Sequence, residues 1–186
     1  MENLVGIFFT INPIKVDLIM SEKMISVDNS PFKECFQGAN LSDTFLLSKE
    51  AANDLWAKRV DERAASYFNL PDESWVVSSE YENVGVWIDA YNNDTNSIVS
   101  DLLRHSFSWS DNTKIWFCVN KHIIFESSWL SFLKYWDGFI AVEDDCPIVI
   151  AQTGKSRDAL LFRSIGDMVK VSEYAENKLD THRKKS

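Results

Sequence analysis

Gly154-Lys155-Ser156 has the ending of a phosphate-binding loop. That chemistry needs a glycine five residues before Gly154, where the backbone wraps the phosphates, and a helix afterwards, to aim its N–H groups at the anion. Val149 stands at the first place, inside an apolar run, and Ala159 to Phe162 reads as a strand. The triplet is expected to be a hairpin turn. Glu143-Asp144-Asp145 offers oxygen ligands to a divalent cation, but a calcium loop requires Asp or Asn at alternating positions, a central glycine and a closing glutamate. Cys146-Pro147 follows instead and opens a strand. These acids read as a turn between two buried strands, and as the best contact site among the loops.

His105, His122 and His182 are the histidines, none in an HxH or HExxH arrangement. Cys35, Cys118 and Cys146 form no CxxC, so neither a zinc ribbon nor a redox pair is written here. A Cys118 thiolate activated by His105 or His122, with Asp145 nearby, is a site that sequence-distant residues could assemble. The plainer reading is that Cys118, inside Ile115-Trp116-Phe117-Cys118-Val119, is a small buried hydrophobe. No G-x-S-x-G elbow presents a serine. No motif calls for a metal or a cofactor, and no residue is assigned a catalytic role.

The elements that must position these residues are those of one domain. The chain has 186 residues, 45% hydrophobic and 13% aromatic, enough to bury a core without disulfides or metals. Residues 1–47 are the least legible. Val5–Thr10, Val16–Met20 and Met24–Val27 look like short strands, and the sequence leaves open whether they join the same fold unit. The apolar Leu4 to Ile11 lacks the basic flank of a signal peptide and the length of a membrane span. It is read as a core strand, and the protein as cytoplasmic; the scattered cysteines suit a reducing compartment.

A helix is expected to start at Ser48, whose hydroxyl can cap it, and to carry Ala52, Trp56, Val60, Ala64 and Tyr67 or Phe68 on one face before Pro71. A second runs from Asn96 or Ser97 to His105, with Ile98, Leu102, Val99 and His105 inward. Lys114–Val119 and His122–Glu126 are strands around Asn120-Lys121, a hairpin spacing. Ser127 or Ser128 caps a short helix bearing Trp129, Phe132, Leu133 and Trp136. Four further β runs follow: Gly138–Val142, Pro147–Ala151, Ala159–Arg163 and Met168–Val171. Short polar links between them imply an antiparallel meander, packed with about three helices in an α+β fold. Residues 174–186 read as a mobile basic tail.

The net charge is −9, and the tail from Lys178 is itself basic, so the body is more acidic than the whole. Such a surface repels phosphate backbones and anionic membranes, which excludes nucleic acid and lipid as expected partners. It attracts a basic protein and speeds encounter with one. Trp75, Trp87 and Trp109 sit beside polar loops, where an indole either anchors an interface when exposed or caps the edge of a core. Tyr81, Glu82, Trp87, Asp89, Trp109, Glu143, Asp144 and Asp145 are the expected partner-binding residues.

From Lys114 onward the chain resembles a family of uncharacterised bacterial proteins, a domain of unknown function. The resemblance rests on Ile115-Trp116-Phe117-Cys118, Glu126-Ser127-Ser128-Trp129 with Phe132 and Trp136, Phe139, Asp144-Asp145, Pro147 before Ile148-Val149-Ile150, and Phe162 to Gly166. Leu55-Trp56 is a weaker echo, and residues 1–40 fall outside. Cys146 stands where that family is expected to have a glycine. The resemblance implies a bacterial origin and no assigned activity. In being small, acidic and tryptophan-rich, the chain is also similar to bacterial toxin-immunity proteins, a likeness of type that does not fix function. Two functions are therefore expected: a protein-binding module neutralising a basic toxin domain, or an enzyme or small-molecule binder built around His105, Cys118 and Asp145. Oligomeric state is left open.

Overall fold

The computed structural model describes residues 23–93, 95–142, 146–151 and 157–173. The expected strands Val5–Thr10 and Val16–Met20, the Glu143-Asp144-Asp145 turn, the Gly154-Lys155-Ser156 turn and the tail from Tyr174 lie outside these residues.

Eight strands form one antiparallel sheet: β1 Met24–Ser26, β2 Phe45–Leu47, β3 Tyr81–Val86, β4 Lys114–Asn120, β5 Ile123–Ser128, β6 Ile148–Ala151, β7 Arg157–Phe162 and β8 Asp167–Glu173. Their spatial order is β1-β2-β5-β4-β6-β7-β8-β3. The helices are α1 Lys49–Trp56, α2 Trp75–Ser78, α3 Ile88–Asn92, α4 Asn96–Ser106 and α5 Trp129–Ile140. The fold is α+β, with the meander β6-β7-β8 as expected. Among the described residues no helix is long and apolar enough to cross a membrane.

Side chains of a strand alternate between faces, and here both faces are covered. Ile115, Phe117 and Val119 of β4 pack with Phe162, α4 and α5 in one core. Trp116 and Cys118 pack with Ile148, Ile150, α1 and α2 in another. The first core is rich in aromatic rings. Phe132 lies between Trp129, Phe117 and Phe139, with ring centroids 5.5, 6.0 and 5.2 Å away, and Trp136 stacks on Phe162 at 6.2 Å. Helix α5 supplies most of these rings. Ser128 caps it, its hydroxyl accepting from Ser131 N at 3.1 Å.

The structure corrects the expected elements in three places. Helix α1 begins at its Ser48 cap, where Ala51 N donates to the Ser48 hydroxyl, but it stops at Trp56 and opens into a π turn over Ala57–Asp61. Trp56 Nε1 donates to Ala64 O at 2.9 Å, so Ala64 is held by a chain that has already turned back. Tyr67 lies in a separate 3-10 turn, Tyr67–Asn69. Second, Gly138 to Ile140 are the last turn of α5 rather than a strand, because Phe139 continues the helix's apolar face. Gly138 is needed there: a Cβ would lie 2.8 Å from Cys35 O. Third, Ile98 and His105 of α4 face outward, while Val99 and Leu103 are fully buried.

Between β2 and β5, the fully buried Thr44 hydroxyl meets that of Ser127 at 2.7 Å. Each is the partner that keeps the other from being stranded away from water. Thr44→Val should destabilise the protein by about 1–3 kcal/mol in urea unfolding. In the double variant Thr44→Val/Ser127→Ala the summed single losses should exceed the measured loss, since the orphaned hydroxyl is gone.

Candidate functional site

The sheet ends at β3. Among the described residues its one pairing is with β8, from Tyr81 opposite Val171 to Val86 opposite Asp167, interrupted by a bulge between Asn83 and Gly85. Tyr81, Glu82 and Asn83 are all exposed although their side chains alternate faces, so this end of the strand is covered on neither. Tyr81 is 66% exposed, and Val77 and Val86 are exposed apolar neighbours. A strand edge of this kind presents unpaired N–H and C=O groups to any extended chain that approaches.

The surroundings fix the edge in place. Gly85 takes φ +148° at the bulge and sits against α4, where a Cβ would lie 2.8 Å from Leu102 Cδ1. Trp87 N and Ile88 N both donate to Gly166 O, at 2.9 and 3.3 Å, tying the strand's end to the β7–β8 turn. Beneath Tyr81 the Arg163 guanidinium lies 5.7 Å from the ring centre. Asp167 accepts from Arg163 Nε at 2.8 Å and from its Nη2. Beside them is a recess of about 100 Å³ lined by Tyr67, Val77, Tyr81, Arg163, Val169 and Val171, among others.

The segment that carries this edge has charge of one sign. Residues 64–103 hold seven Asp or Glu and no Lys or Arg. Glu80, Glu82 and Asp89 are exposed on or beside β3. Lys170 stands opposite Glu82 in register, but its ammonium donates to Ser106 O at 2.9 Å and lies over the Phe107 ring. The acids therefore face solvent.

Of the expected partner-binding residues, Tyr81, Glu82 and Asp89 are exposed. Two tryptophans are not surface anchors. Trp109 is only 8% exposed, packed on Phe107 and Trp129 at 4.4 and 4.8 Å. Trp87 is half-buried, its ring against Phe162 and its Nε1 donating to Arg163 O at 3.2 Å. Trp75 is likewise buried and donates to Arg59 O at 3.0 Å. Each indole turns inward from a polar segment, because its large apolar area has a core within reach. Glu143, Asp144 and Asp145 lie outside the described residues.

Of the catalytic alternative, Cys118, His105 and His122 are not brought together, and Asp145 lies outside the described residues. Cys118 is fully buried on the α1 face of the sheet, and burial pushes its thiol pKa far up. His105 is exposed on α4, which packs on the opposite face. His122 is exposed at the β4–β5 turn, its pKa lowered by partial desolvation and by Lys49 and Lys121. Among the described residues no three His, Cys, Asp or Glu converge as a metal site.

Residues 35–171 match the family described as "Protein of unknown function (DUF2947)". The chain belongs to the DUF2947 family. The match extends the C-terminal resemblance back through α1 and β3, so the acidic edge and strands β2 to β7, with most of β8, lie within the DUF2947 region, while β1 precedes it. No curated protein matches the chain, and no solved structure does.

Asp167 carries a pH-dependent part of this edge. The Arg163 hydrogen bonds hold its carboxyl below the usual carboxylate range, outweighing the opposing effect of burial. The folded protein thus takes up this proton less readily than the unfolded chain. The resulting stability is present above about pH 3.9 and lost as pH falls through the lower folded value. Asp167→Asn should lower the urea midpoint at neutral pH, and its gap from wild type should narrow below about pH 3.9. A gap that stays constant down to acid would show that the ion pair contributes nothing.

Proposed function

We propose that this DUF2947 protein is a binding module that captures a basic protein partner by accepting an extended segment along the open edge of β3. The observation that carries the reading is the position of that edge: uncovered at Tyr81 to Asn83, and within residues 64–103, which carry acids and no compensating cation. Main-chain groups of an edge strand supply affinity to an added strand, and side-chain recesses beside it supply selectivity. The recess under Tyr81 suits one apolar side chain of such a segment. Glu80, Glu82 and Asp89 would steer basic residues toward it and reject acidic ones.

In its fuller form the proposal makes the protein an immunity protein, neutralising a basic toxin domain in the cytoplasm of a bacterium. Its support is the acidic character together with the open edge, and that part rests on likeness of type.

The test uses a basic partner recovered from the organism's own lysate and then purified. Association should slow steeply with added salt, and Glu80→Lys/Glu82→Lys should slow it by about tenfold or more at low salt. Amides of residues 81–86 should gain protection from hydrogen exchange in the complex. A complex that leaves these amides exchanging as before, or that forms as fast with the charge-reversed variant, defeats the edge as the binding site.

A further inference from the structure

Three cations gather along the α1 face of the sheet, between β1 and β4. Lys23 lies just before β1, and Lys58 and Arg59 lie on the π turn that follows α1. With Ala51, Asp54, Leu55 and Trp116 they line an open cleft of about 340 Å³. Among the described residues none of the three has a carboxylate within 4.0 Å, whereas Arg63, Arg104, Lys114, Arg157 and Arg163 each have one. In a chain of net charge −9 such cations would be expected to find acids. Among the described residues the single acid lining the cleft, Asp54, has no cation within 4.0 Å either.

We propose that this cleft binds a small organic anion: an oxyanion, phosphate or carboxylate, carried on a flat apolar body. Three features argue for a built site. The guanidinium of Arg59 lies 5.5 Å from the centre of the Trp116 ring, which restricts a side chain that would otherwise sweep through solvent. Its backbone is fixed too, because Arg59 O accepts from Trp75 Nε1 at 3.0 Å. Trp116 is anchored in turn by Glu126, which accepts from its Nε1 at 3.0 Å and is neutralised by Lys114 at 2.7 Å. The π turn gives the second feature. Its extra residue puts Lys58 and Arg59 side by side at the rim, and π turns inside helices are frequent at functional sites. The third is the lining itself: Ala51, Leu55 and the edge of Trp116 present apolar surface next to the charges, as a ligand with both an anionic head and an apolar body requires. Arg59 would take the oxyanion through paired N–H donors, Lys58 and Lys23 would add point charge, and the body would lie on Leu55.

The full chain would be titrated with phenyl phosphate, benzoate and inorganic phosphate, following the Trp116 indole N–H resonance and the heat released. Phenyl phosphate or benzoate should saturate in the millimolar range or below, tighter than inorganic phosphate, and whichever of the two binds better assigns the head group. Arg59→Met should weaken binding by about tenfold or more, and Lys58→Met by less. Asp54→Asn, which removes the one like charge, should strengthen binding by about threefold, a gain that a damaged fold would not produce. Lys121→Met, outside the cleft, should leave binding unchanged. The proposal is overturned if neither aromatic anion saturates, if inorganic phosphate binds as tightly as both, or if Arg59→Met binds like wild type at an unchanged urea midpoint.

Discussion

Five consecutive residues of β4, Ile115 to Val119, are buried, so this strand can exist only with a layer against each face and a partner along each edge. Strands β5 and β6 supply the edges. Helix α5, with Phe132 and Phe139 against Phe117, supplies one layer, and α1, with Ala52 and Trp56, contributes to the other. Much of the remaining fold follows from closing those two layers. The hairpin to β5 runs directly into the Ser128 cap, which sends α5 back over the strand it has just left. On the other side, Ser48 N donates to Lys23 O at 2.6 Å and holds the start of α1 beside β1.

Sidedness also decides where chemistry can happen. Residues 116 and 118 point one way and 115, 117 and 119 the other, so a thiol at Cys118 can meet only what the α1 layer brings. That layer brings tryptophan and aliphatic carbon, and the thiol stays protonated and shielded. What the sheet leaves accessible lies apart from it, with cations gathered between β1 and β4 and acids near β3.

Local signals were enough for the part from Lys114 to Trp136, but not for Gly138 to Ile140, which read as a strand and continue the helix. Asn120-Lys121 marks the turn, Ser128 the cap, and Trp129, Phe132, Leu133 and Trp136 the buried face, all within reach of a few residues. The edge strand was not legible as a strand. The bulge at Val84 breaks the alternation, so Val84 is buried while Val86 is exposed, and Gly85 between them reads as a loop. Tyr81, Glu82 and Asp89 were nonetheless recognisable as surface from their chemistry. The misreading of Trp75, Trp87 and Trp109 has one cause: polar neighbours in sequence describe the turn, while the ring's direction depends on a core built from strands far along the chain. The end of α1 has the same character. Ala64 keeps the helical spacing, but a hydrogen bond from Trp56 decides the path.

An uncovered strand edge is also a route to self-association, because the groups that would accept a foreign segment accept a second copy equally well. Glu80 and Glu82 bear on this. Two β3 edges laid side by side would bring their carboxylates together, with the nearby Lys170 ammonium turned to Ser106 O, and the bulge at Val84 would spoil the ladder between them. The same acids that draw in a positively charged chain therefore keep copies of this one apart. Salt screens that repulsion, and strong acid, which weakens the Arg163–Asp167 support, loosens this corner of the sheet as well. Concentrated salt is therefore the condition under which like edges should first meet.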